Sequence, residues 1–365
     1  MNRARWLNLA AAALLIGLLP ACNRDSGRPK VAVVSNNAAD FWTIAEAGAR
    51  KGEKEFGVEV IFRRPAPADA AEQKKIIDAL VAQGVKGIAV SVIDPTNQTD
   101  YLNSIAARTN LLTQDNDAPE SKRICYVGTN NYEAGKAVGE LVKEVMPDGG
   151  IFAVFVGQTT PLNARQRYQG VIDALAGEKD AKGKESGGYM EFGKYRQFGD
   201  VRTDEADQKK AADNAKAVLS ALAAEIDSGK PVCMIGLWAY NPPAILNAVT
   251  EQGYAGKVHI VGFDEDRATL QGIMDGHIHG TVVQQPFEFG YQSVRIMAKL
   301  AQGDESVVPE DGLMYVPHRV ITKEGGDGRV AAAKFQKFLD DLLSGKEPEP
   351  LDAPAGKGKA EASTS

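Results

Sequence analysis

Two neighbouring aromatic residues, Phe41 and Trp42, follow the polar run Ser35-Asn36-Asn37 and an acid, Asp40. Flat rings offer an apolar face, while the hydroxyl, amide and carboxylate groups beside them offer hydrogen bonds. That combination suits a ligand with one apolar face and a polar rim, as a sugar ring has. Packing of a helix onto a sheet accounts for one of the rings. It accounts poorly for both, since neighbours on a helix point about 100° apart.

Other chemistries find less support. Gly135-Lys136-Ala137 lacks the spacing and the Ser or Thr of a phosphate-binding loop. His277 and His279 lie in a turn entering a strand, without a third ligand nearby. There is no Gly-x-Ser-x-Gly elbow and no His-Glu-x-x-His helix. With four His in all, none beside a convincing nucleophile, the chain carries no recognisable hydrolytic machinery and no cofactor motif.

The elements that position these residues follow from hydrophobic patterning. Val31–Val34 is a short apolar run that reads as a buried strand, and Phe41 opens a helix. Side chains between them stand at the carboxyl end of a parallel strand, where open α/β sheets keep their ligands. Short apolar runs then alternate with helical segments along the chain, the signature of βαβ units. Strands are expected at 30–34, 58–63, 87–92, 111–113, 123–128, 151–156, 190–197, 231–236, 258–262 and 280–284, with the last strand residues at 313–316 and 320. Helices are expected at 41–56, 68–83, 98–107 (with Thr96 as its cap), 132–145, 162–175, 204–224, 243–251, 267–275, 286–300 and 330–343. Residues 177–188, rich in Gly and Lys, read as a surface insertion.

Residues 1–22 read as an export signal. Arg3 and Arg5 precede an apolar core, Leu7 to Leu19, too short for an ordinary membrane span. Leu19-Pro20-Ala21-Cys22 resembles a bacterial lipobox, which would make Cys22 a lipidated residue; a plain secretory signal is the alternative. Removing two Arg and no acid takes the formal charge from −6 to −8, and no basic stripe suggests nucleic acid. Cys125 and Cys233 sit in apolar runs and read as buried thiols, a disulfide remaining open in an oxidising compartment. Residues 348–365 are Pro-, Gly-, Ala- and Lys-rich and read as a disordered tail.

Five segments, in order, resemble the signatures of the ribose- and galactose-type periplasmic sugar-binding proteins of ABC transporters. They are Val33-Val34-Ser35 with Phe41-Trp42, Thr129 to Gly135, Asn163-Ala164-Arg165-Gln166-Arg167, Val261-Gly262-Phe263-Asp264, and Thr281 to Pro286. The resemblance implies an α/β fold of two Rossmann-like domains with parallel sheets, joined by a three-segment hinge, with ligand held between them. Crossings are expected near 129–131, 263–267 and 284–286. The lobes are then 29–129 plus 266–283 and 131–262 plus 287–321, followed by a helical extension at 322–347.

By position, the resemblance places Ser35, Asp40, Phe41, Trp42, Ser91, Asp115 and Asn116 on one side of the ligand, and Arg167, Trp238, Asp264 and Gln284 around the rest. Alternatives stay open for three of them: Asp264 as a helix cap, Arg167 paired with Asp173, and Ser91 as a strand-end filler. Asp40, Asn116 and the stretch around Trp238 depart from the ribose pattern, which points away from ribose and leaves the ligand class intact. The implied partners are a monosaccharide or polyol, a membrane permease, and a membrane surface reached through the lipid on Cys22, with the protein a monomer. A sensory lipoprotein serving a membrane kinase or chemoreceptor is the alternative; an enzyme acting on a sugar is a weaker one.

Overall fold

The computed structural model describes residues 27–39, 41–346 and 348–351. The expected signal segment, Cys22, Asp40 and most of the expected tail lie outside the described residues. The chain begins with β1 (Lys30–Val34) and α1 (Phe41–Phe56), then β2 (Glu59–Arg63), α2 (Ala70–Ala82), β3 (Gly87–Val90), α3 (Pro95–Ala106), β4 (Asn110–Gln114) and β5 (Cys125–Gly128). Across a first crossing come α4 (Asn131–Val145), β6 (Gly150–Val156), α5 (Leu162–Ala176), β7 (Lys184–Ser186), β8 (Tyr189–Phe192), β9 (Tyr195–Phe198) and β10 (Arg202–Thr203). These lead into α6 (Gln208–Ala221), α7 (Ala223–Asp227), β11 (Val232–Gly236), α8 (Asn241–Glu251), β12 (His259–Phe263), α9 (Arg267–Asp275) and β13 (Gly280–Val283). A second crossing returns the chain for α10 (Pro286–Ala301) and β14 (Leu313–Tyr315). A third delivers β15 (Arg319–Thr322), β16 (Val330–Ala331) and α11 (Ala332–Leu343).

Two sheets result. The first runs β14-β5-β4-β3-β1-β2 and is parallel throughout. The second runs β16-β15-β13-β12-β11-β6-β9-β8-β7, with β10 also on β6; its centre is parallel, and β15, β7 and β8 join antiparallel. Central strands such as β3 and β11 are buried at every residue, as strands covered by helices on both faces must be.

Lobe membership differs from the expected division at its edges. β13 pairs with β12 and β15 in the second sheet, so 266–283 belongs to the second lobe. α10 packs along α1, and β14 joins β5, so 286–315 belongs to the first. The crossings therefore fall at 129–130, 284–285 and 316–318, and 263–267 stays within one lobe. The reason lies in register: β12 and β13 are neighbours joined by α9, an ordinary βαβ unit that needs no change of sheet. Residues 190–197 form a hairpin rather than one strand, turned at Gly193 with φ 59°. The helix expected at 204–224 starts only after its cap, Asp207. α3 is capped by Asp94, with Pro95 at its first position, rather than by Thr96.

Each lobe is pinned by one close helix crossing. In the first, Gly48 of α1 meets Gly290 of α10; a methyl on Gly48 would lie 1.9 Å from the Phe287 carbonyl oxygen, and one on Gly290 1.9 Å from that of Ala45. In the second, Gly135 of α4 meets Gly170 of α5, with methyls 2.2 Å from the carbonyl oxygens of Arg167 and Tyr132. The second crossing brings Arg167 to the mouth of its lobe. Replacing Gly48 with Ala forces backbone apart from backbone, so we expect a loss of about 2 kcal/mol or more, read as a lower urea midpoint with an unchanged slope.

Candidate functional site

The carboxyl ends of both sheets face each other across a cleft with a cavity of about 340 Å³. Phe41, Trp42 and Asp115 line it from the first lobe; Arg167, Trp238 and Asp264 line it from the second, with Gln284 at a crossing. Among the sequence-derived candidates that are described, these seven come together. Ser35, Ser91 and Asn116 do not line the cavity; each is fully buried and supports it from behind.

The first-lobe wall is built on strand ends. Ser35, just past β1, donates to the Asn37 carbonyl at 2.6 Å, which shapes the turn toward α1. Trp42 is buried, its indole N–H donating to Asn36 Oδ1 at 3.1 Å, and Phe41 stands edge-on to it at 5.2 Å. Both rings pack and both reach the cavity. Ser91 donates to Asp115 Oδ2 at 2.8 Å, so it orients a carboxylate rather than filling space. Buried Gln73, which sequence reasoning missed, ties the carbonyls of Ser35 and Ser91 together at 2.9 and 2.7 Å.

The second-lobe wall centres on Arg167. Its Nε donates to Asn131 Oδ1 at 2.9 Å and its Nη1 to the Leu237 carbonyl at 3.0 Å, while its guanidinium lies 3.9 Å from the centre of the Phe263 ring. Nη1 stands 3.8 Å from Asp264 Oδ2, and Gln284 Nε2 donates to Asp264 Oδ1 at 2.8 Å. Arg167 is therefore not a partner of Asp173, which is bound by Tyr132, Gln169 and two backbone N–H groups. Nor does Asp264 cap α9; Asp266 does, accepting from Ala268 N–H at 2.7 Å. Trp238 lies over Gly157, where a methyl would fall 2.1 Å from its ring. Buried Asp204, also missed, holds the neighbouring loop by accepting from Tyr240 and from Asn241.

Both cleft acids occupy the left-handed region, Asp115 at φ 59° and Asp264 at φ 66°, a conformation that Asp tolerates better than most residues. Burial pushes the Asp115 carboxyl up to about 6; Arg167 and the Ser91 bond pull it down, and Asp264 pushes it up. Burial likewise raises Asp264, against Arg167 and Gln284. Glu265 has both carboxyl oxygens buried without a partner; burial, then Asp264, holds it well above its ordinary value. Gln284 Oε1 and Asn163 Oδ1 are buried acceptors without a donor. Acceptors, one fixed cation and aromatic faces thus converge, which suits a polyhydroxylated ring. A depression of about 440 Å³ in the second lobe, beside Lys230, Lys257 and His259, has no such convergence; Lys257 is engaged by Asp227.

The profile of the periplasmic binding protein domain matches residues 31–305, more than half of the chain. The chain belongs to the periplasmic binding protein family. This binding protein is 24% identical over 313 residues to a D-ribose/D-allose-binding protein of Pseudomonas aeruginosa, covering 81% of this chain and 89% of the relative. It is 22% identical over 314 residues to the ribose import binding protein RbsB of Escherichia coli, covering 84% and 95%. Among solved structures it is similar to the glucose-galactose binding protein GanP of Geobacillus stearothermophilus, with TM-score 0.71, 26% identity and coverage of 81% and 98%. A solute-binding protein of Burkholderia graminis in complex with D-arabinose shares the fold, with TM-score 0.72, 24% identity and coverage of 81% and 96%.

Cys125 and Cys233 are free buried thiols in different lobes, and burial pushes Cys125 up to about 11. Asp115 yields a sharper test. A carboxyl raised from 3.8 to about 6 keeps its proton in the folded chain after the unfolded chain has released it. Its contribution to stability is full below the lower value and lost as pH rises through the upper one. Asp115→Asn should therefore be increasingly more stable than the wild type from pH 4 to 6, reaching an advantage on the order of 3 kcal/mol above that, measured by urea midpoints across this range.

Proposed function

We propose that this chain is the solute-binding receptor of an ABC importer, taking a monosaccharide or related polyol in the cleft between its lobes. The observation that carries the reading is the convergence of Asp115 and Asp264 on Arg167, flanked by Phe41, Trp42 and Trp238. Ionised carboxylates accept hydroxyl hydrogen bonds more strongly than neutral groups do. The aromatic faces cover the C–H side of a sugar ring. The names of the relatives, ribose, allose, glucose and galactose binders among them, support the class of ligand. Both carboxylates are held by neighbouring donors and a cation, an arrangement for binding rather than for proton transfer. Ligand would favour the closed lobe arrangement by touching both walls at once.

The chain would work outside the cytoplasm, and the segment ending at Cys22 supports lipid anchoring to a bacterial membrane, with the protein a monomer. Mass spectrometry of the amino-terminal peptide reads that modification directly; an unmodified peptide beginning elsewhere would remove the anchor from this reading.

A thermal-shift screen of the mature chain against pentoses, hexoses and polyols tests the main reading. A sugar at about a hundredfold over its dissociation constant adds roughly 2.7 kcal/mol, a clear rise in Tm. No rise with any of them, in a protein shown to be folded, would overturn the sugar assignment. With a sugar in hand, Arg167→Ala should weaken binding by about thirtyfold or more, since it strands buried carboxylates and removes charged hydrogen bonds; calorimetric titration gives the number.

A further inference from the structure

We infer that Asn116 is a latch across the cleft: a first-lobe side chain that supplies the missing cap of a second-lobe helix and so seats Asn163 in the binding wall. Helix α5 begins after Pro161, which provides no side-chain cap. Its first-turn N–H groups must find acceptors elsewhere. The N–H of Asn163 is met at 3.2 Å by Oδ1 of Asn116, which stands just past β4 in the other lobe. Both residues are buried, so the bond is shielded from water.

Asn116 is held for this task. Its Nδ2 donates to the Val92 carbonyl, which fixes the orientation of the amide and leaves Oδ1 facing α5. Its own N–H donates to the Gln114 carbonyl at 2.6 Å, and its carbonyl accepts from Val92 N–H at 3.1 Å. On the far side, Asn163 lines the cavity with an Oδ1 that is buried and without a donor. Separating the lobes would strip the α5 N–H of its acceptor. Capping and closure are thus one event, and the bond raises the share of binding-competent protein, which multiplies apparent affinity. The inference rests on the two-lobe arrangement and not on which ligand is bound.

Lobe separation is read by distance measurements between spin labels on exposed Thr96 of the first lobe and Lys209 of the second, with no sugar added. Cys125 and Cys233 are buried and do not compete for label. In Asn116→Leu the closed-to-open ratio should fall about fivefold, the worth of one hydrogen bond, and a longer distance should appear. Asn163→Ala, which keeps the N–H and loses the side chain, should retain the wild-type distances. Unchanged distances in Asn116→Leu, or equal opening in Asn163→Ala, would overturn the latch. Should Asn116→Leu fail to fold, hydrogen exchange of the Asn163 amide in the wild type decides: protection is expected, and exchange at the rate of an unprotected first-turn amide overturns it. Because no sugar enters, failure of the sugar screen and failure of the latch are separate results.

Discussion

The guanidinium of Arg167 is the constraint from which the cleft is built. A buried cation needs its donors satisfied, and here Asn131, the Leu237 carbonyl and the face of Phe263 do this before any carboxylate is counted. Those partners come from α4, the loop after β11 and β12, so the position of one side chain ties three segments together. Asp264 and Asp115 then experience a cation whose place is fixed. Two acids facing each other without it would repel, and burial would drive both toward the neutral form.

Fixing that cation depends on how closely two helices approach. Arg167 sits on α5, and α5 can lie against α4 only because Gly135 and Gly170 carry no side chain. The first lobe repeats the device with Gly48 and Gly290, where α10 arrives from the far side of a crossing to cover α1. Each lobe is thereby held at one close helix pair, and the chain passes between the lobes at 129–130, 284–285 and 316–318. At the first of these, buried Tyr126 shares its hydroxyl between the carbonyls of Asp115 and Thr129, so the crossing and the acid are set by one ring.

The repeated βαβ pattern was legible because strands buried on both faces must be almost wholly apolar, as Val31–Val34 and Val232–Gly236 are. Lobe membership of the later segments was not, since a strand looks the same in either sheet; pairing is a long-range property, and β13 and β14 exchanged places for that reason. Within the site, acids and aromatics at strand ends could be read because few other roles suit them there. Asn163 lay inside a segment already singled out, yet its amide had no local feature to distinguish it from a helix-start polar residue. Asp204 and Gln73 act through other groups that lie 18 to 38 positions away in the chain, so no local pattern marks them. Ser91 and Asn116 stand just past β3 and β4, where the strand pattern puts them, but neither lines the cavity.

The left-handed backbone at Asp115 and Asp264 narrows how such a receptor can diverge. Most side chains strain that conformation, so exchange at these positions is confined largely to Asp, Asn and Gly. Divergence there can switch charge on or off but has little means to alter shape. Shape must change at Phe41, Trp42, Trp238 and Tyr240, whose backbones carry no such restriction. Charge preference and steric preference are therefore inherited through separate sets of positions, and a lineage could retune one while holding the other constant.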